Sequence, residues 1–89
     1  MELGGNIVLE GFDGVGSEKL IVIKKIAGSF AKKVSDEKGE YEKVIFTLED
    51  TYKITIKVIQ KDKESVSENQ DKNLFFALTN AIKALEAKL

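Results

Sequence analysis

The sequence predicts an α+β fold, a two-layer sandwich with the order β-α-β-β-β-α and both helices on one face of a four-stranded mixed sheet. Three observations carry this. A long segment in the first half and another at the C-terminus repeat apolar residues at three- and four-residue steps, the mark of a helix with one buried stripe. Between them, two consecutive segments alternate apolar and polar residues, the mark of half-buried strands. Eighty-nine residues make one domain, 1–89, with material for a single core and no linker or repeat.

The first strand is expected at Asn6–Glu10, short, β-branched and bounded by glycines. "GFDGVG" follows, and Ser17 supplies the N-cap oxygen of a helix running to about Val34. Leu20, Ile23, Ile26, Ala27, Phe30 and Val34 form its core stripe. Ser35–Glu40 is expected as a polar loop in which Gly39 takes a left-handed turn. Tyr41–Leu48 is a strand with Val44, Phe46 and Leu48 on one side, and Glu49-Asp50-Thr51 reverses the chain. Tyr52, Ile54, Ile56 and Val58 face the core from its hairpin partner. A second reversal at Lys61–Lys63 leads to a short edge strand, "ESVSE". Ser67, Asn69, Asp71 and Asn73 are all competent caps for the last helix, whose stripe is Leu74, Leu78, Ala81, Ile82, Leu85 and Leu89. Returning the first strand through its helix to lie parallel to the next lets both helices cover one face.

Composition removes several function classes. This chain has neither cysteine nor histidine, which excludes thiolate nucleophiles, imidazole acid–base chemistry and the usual zinc sites. No apolar run approaches a membrane span and no cleavable signal begins at Met1, so the expected location is the cytoplasm, with no membrane partner. No motif places two carboxylates in a cleft, so the chain is expected to be non-catalytic. The net charge is −1, and every one of the 14 basic residues is lysine. Lysine meets phosphates as a mobile point charge but lacks the planar fork that reads guanine edges, so a nucleic-acid partner would be held by its backbone.

The closing segment "NLFFALTNAIKALEAKL" resembles the last helix of the ribosome hibernation factor family, the small domain related to bacterial ribosome-associated inhibitor A. Asn73 stands at the polar cap, Leu74 with Phe75 at the hydrophobic–aromatic pair, Ala77 with Leu78 at the alanine–aliphatic pair, and Leu85 with Leu89 near the end. Ala84 occupies a position where that family has lysine. Gly11 followed by "SEKL" resembles the start of the family's first helix, and "IKKIAGSFAKK" its lysine-rich continuation. The resemblance implies a domain that binds ribosomal RNA through helix lysines.

Three surface features are candidates. Lys24, Lys25, Lys32 and Lys33 of the first helix, with Lys83 and Lys88 of the last, would form one positive surface if the helices lie side by side, and otherwise are a solvated helix face. Lys43, Lys53, Lys57 and Lys61, with Thr47 and Thr55, gather on the far sheet face, where they oppose edge pairing or make a platform without aromatics; Ile45 and Ile59 add an apolar patch there suited to a dimer contact. Asp13, Glu49, Asp50, Glu68 and Asp71 fall at one end of the predicted sheet and offer oxygen ligands to a calcium ion, or simply stabilise helix N-termini. The leading expectation is a binding domain for ribosomal or other structured RNA, without a cofactor; the alternative is a calcium-binding or protein-interaction module built on the acidic loops.

"LEGFDGVGSEKL" has the strand–loop–helix setting of an anion site. It lacks the Gly-Lys-Ser/Thr of a nucleotide loop, puts Lys19 where a dinucleotide fingerprint has glycine, and places Asp13 in a phosphate's way. It reads as a flexible strand-to-helix turn.

Overall fold

A computed structural model of the chain describes residues 1–50 and 52–89. It shows an α+β fold in which two helices, α1 (Ser17–Lys38) and α2 (Leu74–Glu86), accompany a mixed sheet of β1 (Glu2–Gly4), β2 (Ile7–Glu10), β3 (Lys43–Glu49), β4 (Lys53–Gln60) and β5 (Lys63–Gln70). The strands lie in the order β1-β2-β3-β4-β5. β2 and β3 are parallel with α1 as their crossover, in register Ile7↔Val44 and Leu9↔Phe46, and the remaining neighbours are antiparallel.

The sheet therefore has five strands, not four. The additional strand, β1, folds back on β2 through Gly4, Gly5 and Asn6, all at positive φ (86°, 59° and 63°), a region open to glycine and tolerated by asparagine. Leu9 N–H donates to the Met1 carbonyl at 2.7 Å, and the terminal ammonium donates to the Leu9 carbonyl at 2.8 Å. The Tyr41 hydroxyl donates to the Gly5 carbonyl at 2.8 Å and pins the hairpin. β5 is likewise a full partner of β4 rather than the short strand "ESVSE" suggests.

Alternation and helical stripe meet in one core. Leu9, Val44, Phe46, Ile54, Ile56 and Val58 from the sheet are buried against Ile23, Ala27, Phe30 and Val34 of α1 and Ala77, Leu78, Ala81 and Leu85 of α2. Phe30 and Phe46 meet edge to face, centroids 6.1 Å apart. Tyr52, expected in the β4 core alternation, precedes the strand and is exposed. The reversal at Glu49-Asp50-Thr51 falls partly on Thr51, outside the described residues; Asp50 takes φ 50°.

The helix boundaries differ from expectation for physical reasons. α1 continues to Lys38 because no glycine or proline interrupts Ser35–Lys38; Gly39, at φ 94°, ends it. Its N-cap is Gly16, which has no side chain to cap with, and Ser17 is its first helical residue. At α2 Asn73 is the cap, its Oδ1 accepting from Phe75 N–H at 2.9 Å and Phe76 N–H at 3.2 Å. Nor is "GFDGVG" merely a flexible turn. Phe12 is among the most buried side chains, and Val15 N–H donates to the Phe12 carbonyl at 3.0 Å.

Candidate nucleic-acid interface

α1 carries lysines 19, 24, 25, 32 and 33 and, from Lys19 to Val34, no acidic residue. The buried stripe of that helix takes Ile23, Ala27, Phe30, Ala31 and Val34 and leaves these lysines exposed, together with Ile21 and Val22. α1 and α2 lie on the same sheet face with an open groove of about 320 Å³ between them. Ile26, Phe30 and Ile82 make its apolar part, and Lys25, Ser29, Lys33 and Glu86 its polar part.

The six lysines singled out by sequence are differently employed. Lys24, Lys25, Lys32 and Lys83 are exposed, and among the described residues none of the four is in an ion pair. Lys33 reaches across the groove to Glu86 at 2.6 Å. That hydrogen bond, reinforced by the carboxylate's charge, raises the Lys33 pKa above the ordinary lysine value of 10.5. Lys88 turns away to the sheet edge, where its Nζ donates to the Val66 carbonyl at 2.5 Å while Lys63 Nζ donates to the Lys88 carbonyl at 3.0 Å. Together these bonds cover part of the otherwise unpaired edge of β5.

The opposite face of the sheet is charge-compensated. The ladder sets Thr55 beside Glu68, Ile59 beside Glu64 and Glu49 beside Lys53. Lys53 sits 3.3 Å from Glu68 and 3.8 Å from Glu49, and Lys57 sits 3.2 Å from Glu64. The Glu68 hydrogen bond, then the charges of Glu68 and Glu49, raise the Lys53 pKa above its ordinary value. Lys43 and Lys61 are exposed on or beside this face, Thr47 pairs with Thr55, and Ile45 and Ile59 are half-buried. The strand register, invisible in composition, supplies each central lysine with its glutamate.

The acidic residues are not gathered into a ligand set. Among the described residues no three carboxylates approach closely enough to hold a metal ion. Glu49 and Glu68 are occupied by Lys53, and Asp71 Oδ1 accepts the Asn73 N–H at 2.8 Å. Asp13 and Asp50 are exposed in separate turns.

Sequence reasoning overlooked a second concavity, of about 290 Å³, at the end of the molecule where both helices begin. Val15 lines it from the loop before α1 and Lys19 from the first turn of α1, Tyr52 from the β3–β4 turn, and Lys72 through Phe75 from the start of α2. These residues lie far apart in the chain, so periodicity gives no signal of their meeting. Among the described residues, no helix is long and apolar enough to cross a membrane.

No protein-family model and no curated protein matches the chain by sequence. In three dimensions it is similar to the crystal structure of the N-terminal domain of Protein Y from Thermus thermophilus. The match has a TM-score of 0.53 at 16% identity and covers 92% of this chain and 90% of that one. At that identity the likeness is one of fold, and it extends over nearly the whole domain.

Proposed function

We propose that this chain is a small non-catalytic binding domain that associates with ribosomal or other structured RNA through the lysines of its helical layer. The observation that carries the reading is the division of charge between faces. α1 exposes Lys19, Lys24, Lys25 and Lys32, none of them in an ion pair among the described residues, while Lys33 is tied to Glu86 and the central lysines of the sheet to glutamates. A phosphate backbone gains most from cations that are not already neutralised, since each new contact releases counterions. The resemblance of Asn73–Leu89 to the last helix of ribosome hibernation factors and the fold likeness to the Protein Y domain both support this reading. With lysine alone available, recognition is of backbone shape rather than base edges.

The test is fluorescence anisotropy with a ribosomal RNA helix across a salt series. Lys24→Ala, Lys25→Ala and Lys32→Ala should each weaken binding and flatten the log K against log salt slope by about 0.9. Lys57→Ala should leave the slope unchanged. Absence of binding at low salt, or equal effects from the two sets of substitutions, would refute the proposal.

A further inference from the structure

We infer that the concavity where the two helices begin receives a single unpaired nucleotide of the bound RNA, its base against Tyr52 and Phe75 and its phosphates beside Lys19 and Lys72. This rests on the RNA reading above and adds to it a site for one extruded base.

The lining carries the inference. Val15, Leu74 and Phe75 give apolar walls, Tyr52 gives a second aromatic ring, and the charged side chains present are two lysines with no carboxylate. Among the described residues neither Lys19 nor Lys72 is in an ion pair. Tyr52 is 45% exposed although it is bulky and aromatic, so ring surface remains open to a ligand. The volume of about 290 Å³ lies at the small end of ligand pockets, room for one planar ring and its sugar rather than a larger molecule.

The backbones that carry the two aromatic residues are also linked before any ligand arrives. Asp71 N–H donates to the Tyr52 carbonyl at 3.1 Å, Asp71 Oδ1 accepts from Asn73 N–H at 2.8 Å, and Asn73 Oδ1 accepts from Phe75 N–H at 2.9 Å. This relay joins the β3–β4 turn to the start of α2 and fixes the backbones that carry both rings. Ordering them beforehand lowers the entropy that binding would otherwise cost. Stacking on aromatic rings beside cations is the chemistry by which proteins take unpaired bases of any sequence, and it asks for no guanidinium fork. A fully paired helix offers no free base face, so the site distinguishes bulged or looped RNA from continuous duplex.

The experiment compares a short RNA duplex with the same duplex carrying one bulged uridine. Wild-type protein should bind the bulged RNA about tenfold more tightly, the scale of one base–aromatic stack. Tyr52→Ala should abolish that preference while leaving affinity for the plain duplex intact, and Tyr52→Phe should retain it. Lys24→Ala should weaken binding to both RNAs alike. Thermal melts check that the Tyr52 variants, altered at an exposed turn residue, stay folded. Equal wild-type affinity for the two RNAs would overturn the base site and leave the helical-layer reading standing. A Tyr52→Ala variant that weakens both equally would overturn it too. Failure to bind either RNA would overturn both proposals.

Discussion

Gly11→Ala is expected to be among the most damaging substitutions of a surface residue in this protein. Gly11 has φ 80°, and a Cβ there would lie 2.3 Å from the Leu48 carbonyl oxygen and 3.4 Å from its carbonyl carbon. Both are backbone atoms at the end of β3, so no rotamer change relieves the contact; that strand end must withdraw by roughly 1 Å to restore ordinary van der Waals distance. Positive φ alone costs an L-residue about 1–2 kcal/mol. Displacing the strand end brings the expected loss to about 3 kcal/mol, from a total of about 5–15 for a domain. With a urea m value near the low end of the usual range, about 1 kcal/mol/M, the denaturation midpoint should fall by about 3 M. Gly14→Ala is the matched control: its φ is not positive and nothing lies within 4 Å of its added methyl, so it should be neutral or slightly stabilising. Gly11→Asn separates the two causes, because asparagine tolerates positive φ but still brings a Cβ to Leu48; it should recover about a third of the loss. A midpoint shift below about 1 M for Gly11→Ala, or a comparable loss in Gly14→Ala, would refute the reasoning.

Two buried serines on β5 should respond oppositely to alanine. Ser67 Oγ donates to the Ala81 carbonyl at 2.7 Å, so Ser67→Ala should cost about 1 kcal/mol, whereas Ser65 Oγ is buried with no partner among the described residues and Ser65→Ala should be neutral or stabilising by about 1 kcal/mol in urea melts. Asn73→Ala removes the acceptor for two α2 amides and should destabilise by about 1 kcal/mol, while Asn73→Gly should cost only a few tenths. Lys33 and Lys53 have folded pKa values above the ordinary 10.5 because each is hydrogen-bonded to a glutamate. Their ion-pair contribution is therefore fully present below about pH 10.5 and is lost as pH rises through the raised folded values. In side-chain NMR titrations the Lys33 and Lys53 ammonium groups should deprotonate above the ordinary 10.5, and Glu86→Gln should move Lys33 back toward it.

The core was legible because its signal is local. The alternation Val44-Phe46-Leu48 and Ile54-Ile56-Val58, and the stripe Ile23-Ala27-Phe30-Val34, each report one face of one element, and the sandwich follows from them. β1 was not legible in the same way: three residues with one apolar side chain have no period, and the strand exists through Gly4-Gly5-Asn6 and its bonds to β2. Its available signal was that glycine–asparagine turn between two apolar residues. The last turn of α1 was missed because its residues are polar all round, which carries no stripe. Phe12 was read within a glycine-rich turn, although an aromatic residue between glycines is itself a hint that something anchors the loop. For the candidate interface, the lysine-bearing helix was visible in the string, but the diversion of Lys33 to Glu86 and of Lys88 to Val66 depends on which elements become neighbours. The concavity around Tyr52 was out of reach for the same reason.

A net charge of −1 describes this protein poorly, because folding sorts charges that the sequence interleaves. In the sheet, period-two alternation and antiparallel register set lysines of β4 against glutamates of β3 and β5. Such exposed pairs contribute little to stability, commonly 0–1 kcal/mol each, so their main consequence is to cancel the field of that face. In α1 no carboxylate lies between Lys19 and Val34; Asp36 and Glu37 stand one turn beyond Lys32 and Lys33, and Glu86 across the groove pairs with Lys33. The field outside the helical layer is then positive at the range of a Debye length, about 8–10 Å at ordinary ionic strength. On the proposed reading, a polyanion approaching at that range would be steered to the helices first, with the concavity around Tyr52 at the end of the same layer. On the same reading, added salt should weaken association far more than it changes the melting temperature, since of the α1 lysines proposed to bind, Lys33 alone is seen in an ion pair among the described residues.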